Sequence, residues 1–426
     1  MFKKISWQNP LKLAKSLSVD ENYQTDWLLL FSGLNQQNKE SKSYLAFYPK
    51  KKIISNNFDE LEVELTKSDE KYFGYFAYDL KDKLEDLPQD QEFNFKFPDL
   101  YFSSFHLVLE FDHNEKIINC SYSSKNYLDK IPYESELDFV DDFFMQDIQS
   151  NFTKEEYLEK VQIIKDRIIE GDLYQANLTR KFFGKIIAQN KFDLFLKLNQ
   201  VSPGNYSSFL RLNDNYIISS SPELFLTIDK KGNVKSSPIK GTAPRHSDQK
   251  QDLLNKEFLK NCTKEQAENL MIVDLVRNDL SRTCQVNSIK VNNLFQINSY
   301  ETLHHMSSDI VGKKDKKFSN LDVVKNSFPP ASMTGTPKIK AMEVCSELEK
   351  VKRGIYSGAI GFLSNNEANL SVVIRTLIIQ DSNFEFQVGG AITHGSKPLK
   401  EFDETINKAK GIAKTLNLDL KKLKKI

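Results

Sequence analysis

Strand-like runs that come in neighbouring pairs, rather than alternating strictly with helices, predict an α+β fold built mainly on antiparallel sheet. Two observations carry this. Segments such as Tyr72-Phe73-Gly74-Tyr75-Phe76-Ala77-Tyr78 and Phe105-His106-Leu107-Val108-Leu109-Glu110-Phe111 are short and rich in aromatic and β-branched residues, the composition of a half-buried strand. Other, longer stretches instead repeat their apolar residues at helical spacing.

In chain order, residues 1–140 alternate strand-like runs with turns. Residues 141–152 are polar and acidic, and mark the expected boundary between an N-terminal region, 1–145, and a second region, 150–418. Lys154 to Glu170 reads as a helix with Tyr157, Leu158, Val161, Ile164 and Ile168 on one broad face. Gly171 is its expected cap. Further strands are expected at Asn215–Ile228, Tyr356–Leu363, Ser371–Ile379 and Phe384–Val388. Thr263-Lys264-Glu265-Gln266 has the form of a capping box and should open a helix reaching about Leu280. Pro398 suits the first turn of a last helix, along which Phe402, Ile406, Ala409, Ala413 and Leu416 form an apolar stripe.

The 426 residues carry 59 Lys+Arg against 58 Asp+Glu, a net charge of +1. That balance argues against a general nucleic-acid binder, which shows a clustered basic excess. Mean hydropathy is −0.49, and the longest apolar run near the start, Trp27–Phe31, is too short for a signal peptide or a membrane span. Cys120, Cys262, Cys284 and Cys345 are far apart and form no CxxC pair. A zinc site or disulfide framework is therefore not expected, and a reducing cytoplasm is. The lysine runs at 313–317 and 421–425 read as solvated surface.

Several residues could carry chemistry. Glu265 and Glu268 share one helix face, with Ile272 and Leu275 following Glu268. A carboxylate among apolar neighbours needs a partner: Arg277 or Arg282 in an ion pair, or a hard cation. Glu401 and Glu404 repeat the spacing on the last helix, off its apolar stripe; they belong to a solvated face or to that same cation. Mg²⁺ typically takes one or two protein carboxylates and leaves its other positions to water and substrate.

Lys240, in Ser237-Pro238-Ile239-Lys240-Gly241-Thr242, is held between a proline and a glycine. It is an exposed turn lysine, or a nucleophile, base or anion clamp. A nucleophilic lysine must be neutral, which desolvation and a nearby cation promote. Gly389-Gly390-Ala391 fits no GxGxxG pattern and offers either a tight turn or a small anion nest. Arg375 interrupts the apolar run Val372–Ile378, which suits a bidentate carboxylate ligand or a structural salt bridge. His304 and His305, if on a strand, point oppositely and do not share a metal. His106, His113 and His246 show no partner spacing and are expected to be structural or exposed.

In order along residues 150–415, these segments resemble the chorismate-utilising enzymes, most of all their aminodeoxychorismate synthase component I branch. The resemblance runs through Gly171-Asp172-Leu173-Tyr174-Gln175-Ala176-Asn177-Leu178, Ser221-Pro222-Glu223-Leu224-Phe225 and Pro238–Thr242. It continues through Glu268-Asn269-Leu270-Met271-Ile272-Val273-Asp274-Leu275-Val276-Arg277-Asn278-Asp279, His305–Ser308, Thr334–Met342, Tyr356–Gly361 and Ile374–Leu377. Gly389–Ile392 and Phe402–Thr405 close the set; Gly74–Asp79 and Phe97-Pro98 match more loosely. Two departures are Phe328-Pro329-Pro330-Ala331-Ser332, where glycines are usual, and Thr336, where alanine is usual.

The resemblance implies two antiparallel β-sheets packed as a sandwich flanked by helices, with the site between sheets and helices. It implies Glu268 and Glu404 as Mg²⁺ ligands, helped by Glu265 and Glu401. Arg375, Tyr356, Gly241, Thr242, Gly389, Gly390, Ala391 and Lys408 would bind substrate. Glu223 would be the general acid, Lys240 the nucleophile and His305 a wall of the ring site. The implied reaction turns chorismate and ammonia into 4-amino-4-deoxychorismate, on the way to 4-aminobenzoate and folate. Lys240 separates this branch from anthranilate synthases, which usually carry a non-nucleophilic residue there. Isochorismate and salicylate synthases keep the lysine to activate water. No glutaminase segment is visible, so ammonia should come from a separate glutamine amidotransferase subunit in a heterodimer, or from solution. No nucleic acid or membrane partner is implied.

Overall fold

The computed structural model describes residues 1–20, 23–32, 41–88, 95, 97–300 and 303–426. In the first third, β1 (Phe2–Ser6), α1 (Pro10–Val19), β2 (Trp27–Phe31), β3 (Lys42–Ser55), α2 (Asp59–Lys67), β4 (Tyr72–Phe76), β5 (Leu100–Asp112) and β6 (Ile117–Tyr122) follow one another. Next come β7 (Phe143–Ser150), α3 (Lys154–Ile169), β8 (Gln175–Ala188), α4 (Lys191–Val201), β9 (Tyr206–Leu212), β10 (Asn215–Ser221), β11 (Leu224–Ile228), β12 (Asn233–Ser237) and β13 (Ile239–Pro244). Then α5 (Gln249–Asn261), α6 (Thr263–Ser281), β14 (Lys290–Ser299), β15 (Leu303–Lys313), α7 (Asn320–Ser327), β16 (Gly335–Thr336) and α8 (Lys338–Glu349). The chain ends with β17 (Ala359–Leu363), β18 (Ala368–Val372), β19 (Thr376–Gln380), β20 (Asn383–Thr393), α9 (Pro398–Thr415) and α10 (Leu420–Leu423).

Among the described residues every strand pairing is antiparallel, as the paired runs predict. One sheet runs β7–β8–β20–β19–β10–β9–β2–β3–β5–β6–β1. The other runs from β5 through β4, β17, β18, β11, β12 and β15 to β14. The long β3 and β5 belong to both, bending across a register shift between Pro49 and Lys51; such a bulge turns a strand from one sheet into the next.

Side-chain alternation explains the layers. Leu28, Leu210, Ile217 and Ile378 of the first sheet meet Phe73, Tyr75, Ile360 and Phe362 of the second in a core between the sheets. Their chain neighbours face outward. Leu29, Phe209, Ile218 and Leu377 receive α1, α3, α4, α8 and α9. Tyr72, Phe76, Ala359 and Leu363 receive α2, α6 and α7. This is a helix-flanked antiparallel sandwich, the α+β class expected from the sequence. Pairs β2–β9 and β4–β17 join the first third of the chain to the rest.

Gly74 and Gly361 lie opposite each other where β4 meets β17. A Cβ at Gly74 would sit 1.8 Å from the Tyr101 carbonyl oxygen. Gly74→Ala is therefore expected to destabilise the protein by about 3 kcal/mol or more, since overfilling of a packed core already costs roughly 1–3. Urea denaturation checks this.

The helix readings at α3 and α9 hold. Thr153 and Glu156 form a reciprocal cap on α3, and Gly171 follows it at φ 90°. Pro398 opens α9, whose stripe from Phe402 to Leu416 is buried. Three readings change. Helix α6 has Cys262 at its cap, with no side-chain capping bond; Thr263 is already helical, so the capping box does not form. Ser371–Ile379 is not one strand. It breaks after Val372, and Arg375 takes a left-handed φ of 50° before β19 begins. Asn215–Ile228 likewise breaks into β10 and β11. Among the described residues no helix is long and apolar enough to cross a membrane, and the four cysteines are free.

Candidate active site

Both breaks do the same thing. The chain leaves the first sheet at the end of β10 and enters the second at β11; it returns from β18 to β19. Because β10 pairs with β19 and β11 with β18, the two crossovers lie side by side. Glu223 occupies one and Arg375 the other. Their backbones are locked by Ser220 N–H donating to the Arg375 carbonyl (3.1 Å) and Val372 N–H donating to the Glu223 carbonyl (3.0 Å). An apolar run of sequence reads alike whether it stays in one sheet or crosses, so this placement was not visible in the pattern.

Around the crossovers the structure gathers the residues singled out in the sequence. Lys240, on β13, donates from Nζ to the Ser332 carbonyl at 3.2 Å. His305, on β15, pairs in register with Thr242 and is buried with an unpartnered Nδ1. Its strand neighbour His304 points the other way, to Asp252 at 3.1 Å and Ser299 at 2.8 Å, as alternation requires. Tyr356 sits buried in the turn before β17. Gly389, Gly390 and Ala391 lie inside β20, opposite Thr179, Leu178 and Asn177; they are not a turn after the strand. Gly390 presents its missing Cβ to Glu401 Oε2 at 3.5 Å and Glu404 Oε1 at 3.8 Å. Lys408 joins the same group, bonding the Gly389 carbonyl at 2.7 Å and Glu404 at 2.8 Å. Gly241, at φ 87°, leaves room for Glu265: a Cβ there would lie 2.9 Å from its Oε2. Thr242 is exposed, and only its backbone pairing with β15 ties it to the group.

Helices α6 and α9 flank the mouth, one from each sheet. Glu265 and Glu268 approach from α6, Glu401 and Glu404 from α9. Glu401 is 4% exposed, so the solvated-face alternative fails for it. Glu268 is ion-paired to neither Arg277 nor Arg282. Its neighbour is Lys264, one turn back, at 3.5 Å. Arg277 pairs with Asp274 instead, at 2.7 Å.

The electrostatics follow from burial and crowding. Burial raises the Glu223 carboxyl, against the Ser332 hydroxyl and the Lys240 charge; Phe225, Val276, Leu280, Pro330 and Ala331 wall the small cavity beside it. Burial, then the positive charge of Lys408, lowers Lys240, while Glu268, Glu223 and Glu404 oppose this. His305 is held down to about 3 by burial, Arg375 and His304, so it is neutral. Burial lowers Arg375 to about 10, with Glu223 opposing. Burial and Glu268 raise Glu265; burial and Glu404 raise Glu401, with Ser396 opposing. Glu404 is lowered, chiefly by Lys408.

Four carboxylates that repel one another, with one Glu268 oxygen buried and without a hydrogen bond, suit a hard cation. Among the described residues no three acidic, His or Cys side chains converge tightly enough to hold an ion alone. A cation such as Mg²⁺ held there would have to take the rest of its shell from substrate and water. Lys264 and Ser332 are the contributors that the sequence reading passed over. The i,i+4 spacing of Lys264 to Glu268 was the available signal for one; Ser332, which offers its backbone carbonyl to Lys240 and its hydroxyl to Glu223, gave none.

The chain is 33% identical over 375 residues to aminodeoxychorismate synthase component 1 of Escherichia coli strain K12, across 85% of this chain and 82% of that protein. It is 36% identical over 271 residues to anthranilate synthase component 1 of Aquifex aeolicus, across 63% and 54%. Anthranilate synthase component I from Streptococcus pneumoniae TIGR4 superposes with a TM-score of 0.77 at 28% identity, across 89% and 94%. A family model described as chorismate binding enzyme matches residues 18–414, which include every group assembled above, and the chain belongs to that family.

Proposed function

We propose that the protein is the chorismate-aminating subunit of an aminodeoxychorismate synthase, its component I. The observation that carries this is the pairing of Lys240 with Glu223. An amine lowered toward neutrality and a carboxyl raised toward it lie in one site, and the two converging shifts enlarge the fraction of molecules holding a free amine and a protonated acid. The likeness to proteins named aminodeoxychorismate synthase component 1 supports the same product.

The chemistry runs in two displacements. Lys240 Nζ bonds to ring carbon 2 of chorismate, the ring π bonds shift, and the bond from carbon 4 to its hydroxyl breaks. Glu223 gives its proton to that hydroxyl, which leaves as water. Ammonia then bonds to carbon 4, the π bonds shift back, and the carbon–nitrogen bond to Lys240 breaks, freeing the amine. The proton shed by the new ammonium returns to Glu223. Arg375 and the β20 amides near Gly390 and Ala391 orient substrate carboxylate, Tyr356 and the neutral His305 line the ring, and Lys408 keeps Lys240 from protonating. Glu268 and Glu404, with Glu265 and Glu401 behind them, would hold Mg²⁺, which would supply the charge that neutralises a substrate carboxylate. The "component 1" of those relatives' names supports a second subunit, here a glutamine amidotransferase that delivers the ammonia.

Chorismate, ammonium and Mg²⁺ should yield 4-aminobenzoate only after an aminodeoxychorismate lyase is added. The likeness to anthranilate synthases gives the competing outcome: fluorescent anthranilate formed directly rejects the proposal. Glu268→Gln should raise the half-saturating Mg²⁺ concentration about tenfold or more, the scale on which a weakened ligand set acts. Titration calorimetry with Mg²⁺ measures it, and an unaltered isotherm removes Glu268 from the ligand set.

A further inference from the structure

Three parts of the site converge on one buried ion pair outside it. Arg353 and Glu349, at the end of α8, are 1% and 2% exposed. The guanidinium grips the carboxylate with Nε at 2.9 Å and Nη2 at 2.7 Å. Its other donors go mainly to backbone, with one long contact of 3.5 Å from Nη1 to the Ser357 hydroxyl. Nη1 bonds the Met333 carbonyl at 2.8 Å, and Nη2 the Asn177 carbonyl at 2.7 Å. Glu349 in turn accepts from the Thr179 amide at 2.9 Å. The guanidinium lies over the Tyr78 ring, 4.4 Å from its centre.

Each anchor is one step from a site group. Met333 follows Ser332, whose carbonyl receives the Lys240 amine. Asn177 and Thr179 stand opposite Ala391 and Gly389 in the ladder with β20. Arg353 itself precedes the turn that carries Tyr356, and that turn is pinned by Gly354 N–H donating to Asp79 and by Tyr78 N–H donating to the Gly354 carbonyl, both at 2.8 Å. Two buried charges serve stability poorly, since their desolvation offsets their attraction and apolar replacements are often no less stable. A planar fork that satisfies several carbonyls at fixed angles serves geometry.

We propose that Arg353, held by Glu349, is a positioning residue that sets the acceptor loop of Lys240, the β20 carboxylate strand and the Tyr356 turn relative to one another. The proposal rests on the roles given above to those groups. It is tested with R353K, which keeps the charge and loses the fork, and with the double variant R353M/E349M, which removes the pair as a unit. The expected result is a folded protein whose kcat for chorismate amination falls about 10- to 100-fold, the scale of a misplacement near 1 Å, while KM for chorismate changes less than threefold. Amide hydrogen exchange should quicken at 177–179, 332–334 and 354–358 and not in the outer helices. A kcat within threefold of wild type in either folded variant overturns the proposal, as does exchange that quickens everywhere or nowhere. If the double variant does not fold, R353K decides alone. Wild-type turnover is measured in parallel: its absence strikes the chemistry proposed above, and the exchange pattern then still decides whether Arg353 positions these segments.

Discussion

Lys240→Ala should cut formation of 4-amino-4-deoxychorismate by a factor on the order of 10³ while leaving the thermal melting temperature nearly unchanged. The first expectation follows from the amine's situation. Removing a covalent catalyst forces ammonia to displace the hydroxyl directly, and one positioned group of this kind contributes at least as much as an acid or base, roughly 10²–10⁴. The second follows from what the side chain does in the fold. Among the described residues it makes a single hydrogen bond, to a backbone carbonyl, and its loss removes a partly buried amine whose pKa burial and Lys408 hold below the ordinary lysine range. The sign of the pH effect is fixed too. A lowered amine pKa means that neutral lysine persists to lower pH than an ordinary lysine allows, so native enzyme should still be labelled at Lys240 by an amine-acylating reagent near neutral pH. Mass spectrometry of the labelled peptide reads this directly. Unchanged turnover in Lys240→Ala would remove the covalent route.

Glu223→Gln is expected to lower kcat by about 10²–10⁴-fold, the range for a lost general acid. Glutamine keeps the shape and can still bond near Ser332, so folding should survive. What it loses is the proton. Burial favours the neutral carboxyl at Glu223 against the opposing Lys240 charge, and a neutral carboxyl is the form that can protonate a departing hydroxyl. The variant should also move Lys240. The Glu223 charge raises the lysine pKa; without it the amine deprotonates at lower pH, and the acylation profile of Lys240 should shift toward acid. A variant with native kcat, or a profile displaced toward base, contradicts the pairing.

Local periodicity carried part of this architecture. Helices α3 and α9 were legible because an amphipathic stripe is a property of one segment and needs no partner. Strand character was legible for the same reason, yet the sandwich was not, because alternation says which side chains share a face and nothing about which sheet that face meets. The breaks at Glu223 and Arg375 show this most sharply. Both sit in runs whose composition suits an uninterrupted strand, and only the pairing of β10 with β19 and β11 with β18 makes them neighbours. The acidic mouth was readable as two pairs of glutamates that one cation could join, and spacing left that open against a solvated face, since α6 and α9 are far apart in the chain. Ordered motifs, through their resemblance to a family, supplied the joint reading that spacing could not. Its stripe alone left Glu401 open between a solvated face and the cluster, because α9 packs on two fronts, the sheet core and the carboxylate cluster.

Pairing of β4 with β17 sets Gly74 against Gly361, and β2 likewise waits for β9. During synthesis β2 therefore emerges with no partner for one edge until Leu212 has left the ribosome, and β4 until Leu363 has. Contacts of such long sequence separation close slowly, because the loop entropy must be lost before the contact repays it. Until then Tyr72–Phe76, apolar on both faces, is an open template for foreign strands. A nascent chain of this design matures after translation, and holding chaperones, rather than rapid local collapse, should govern its yield in the cell.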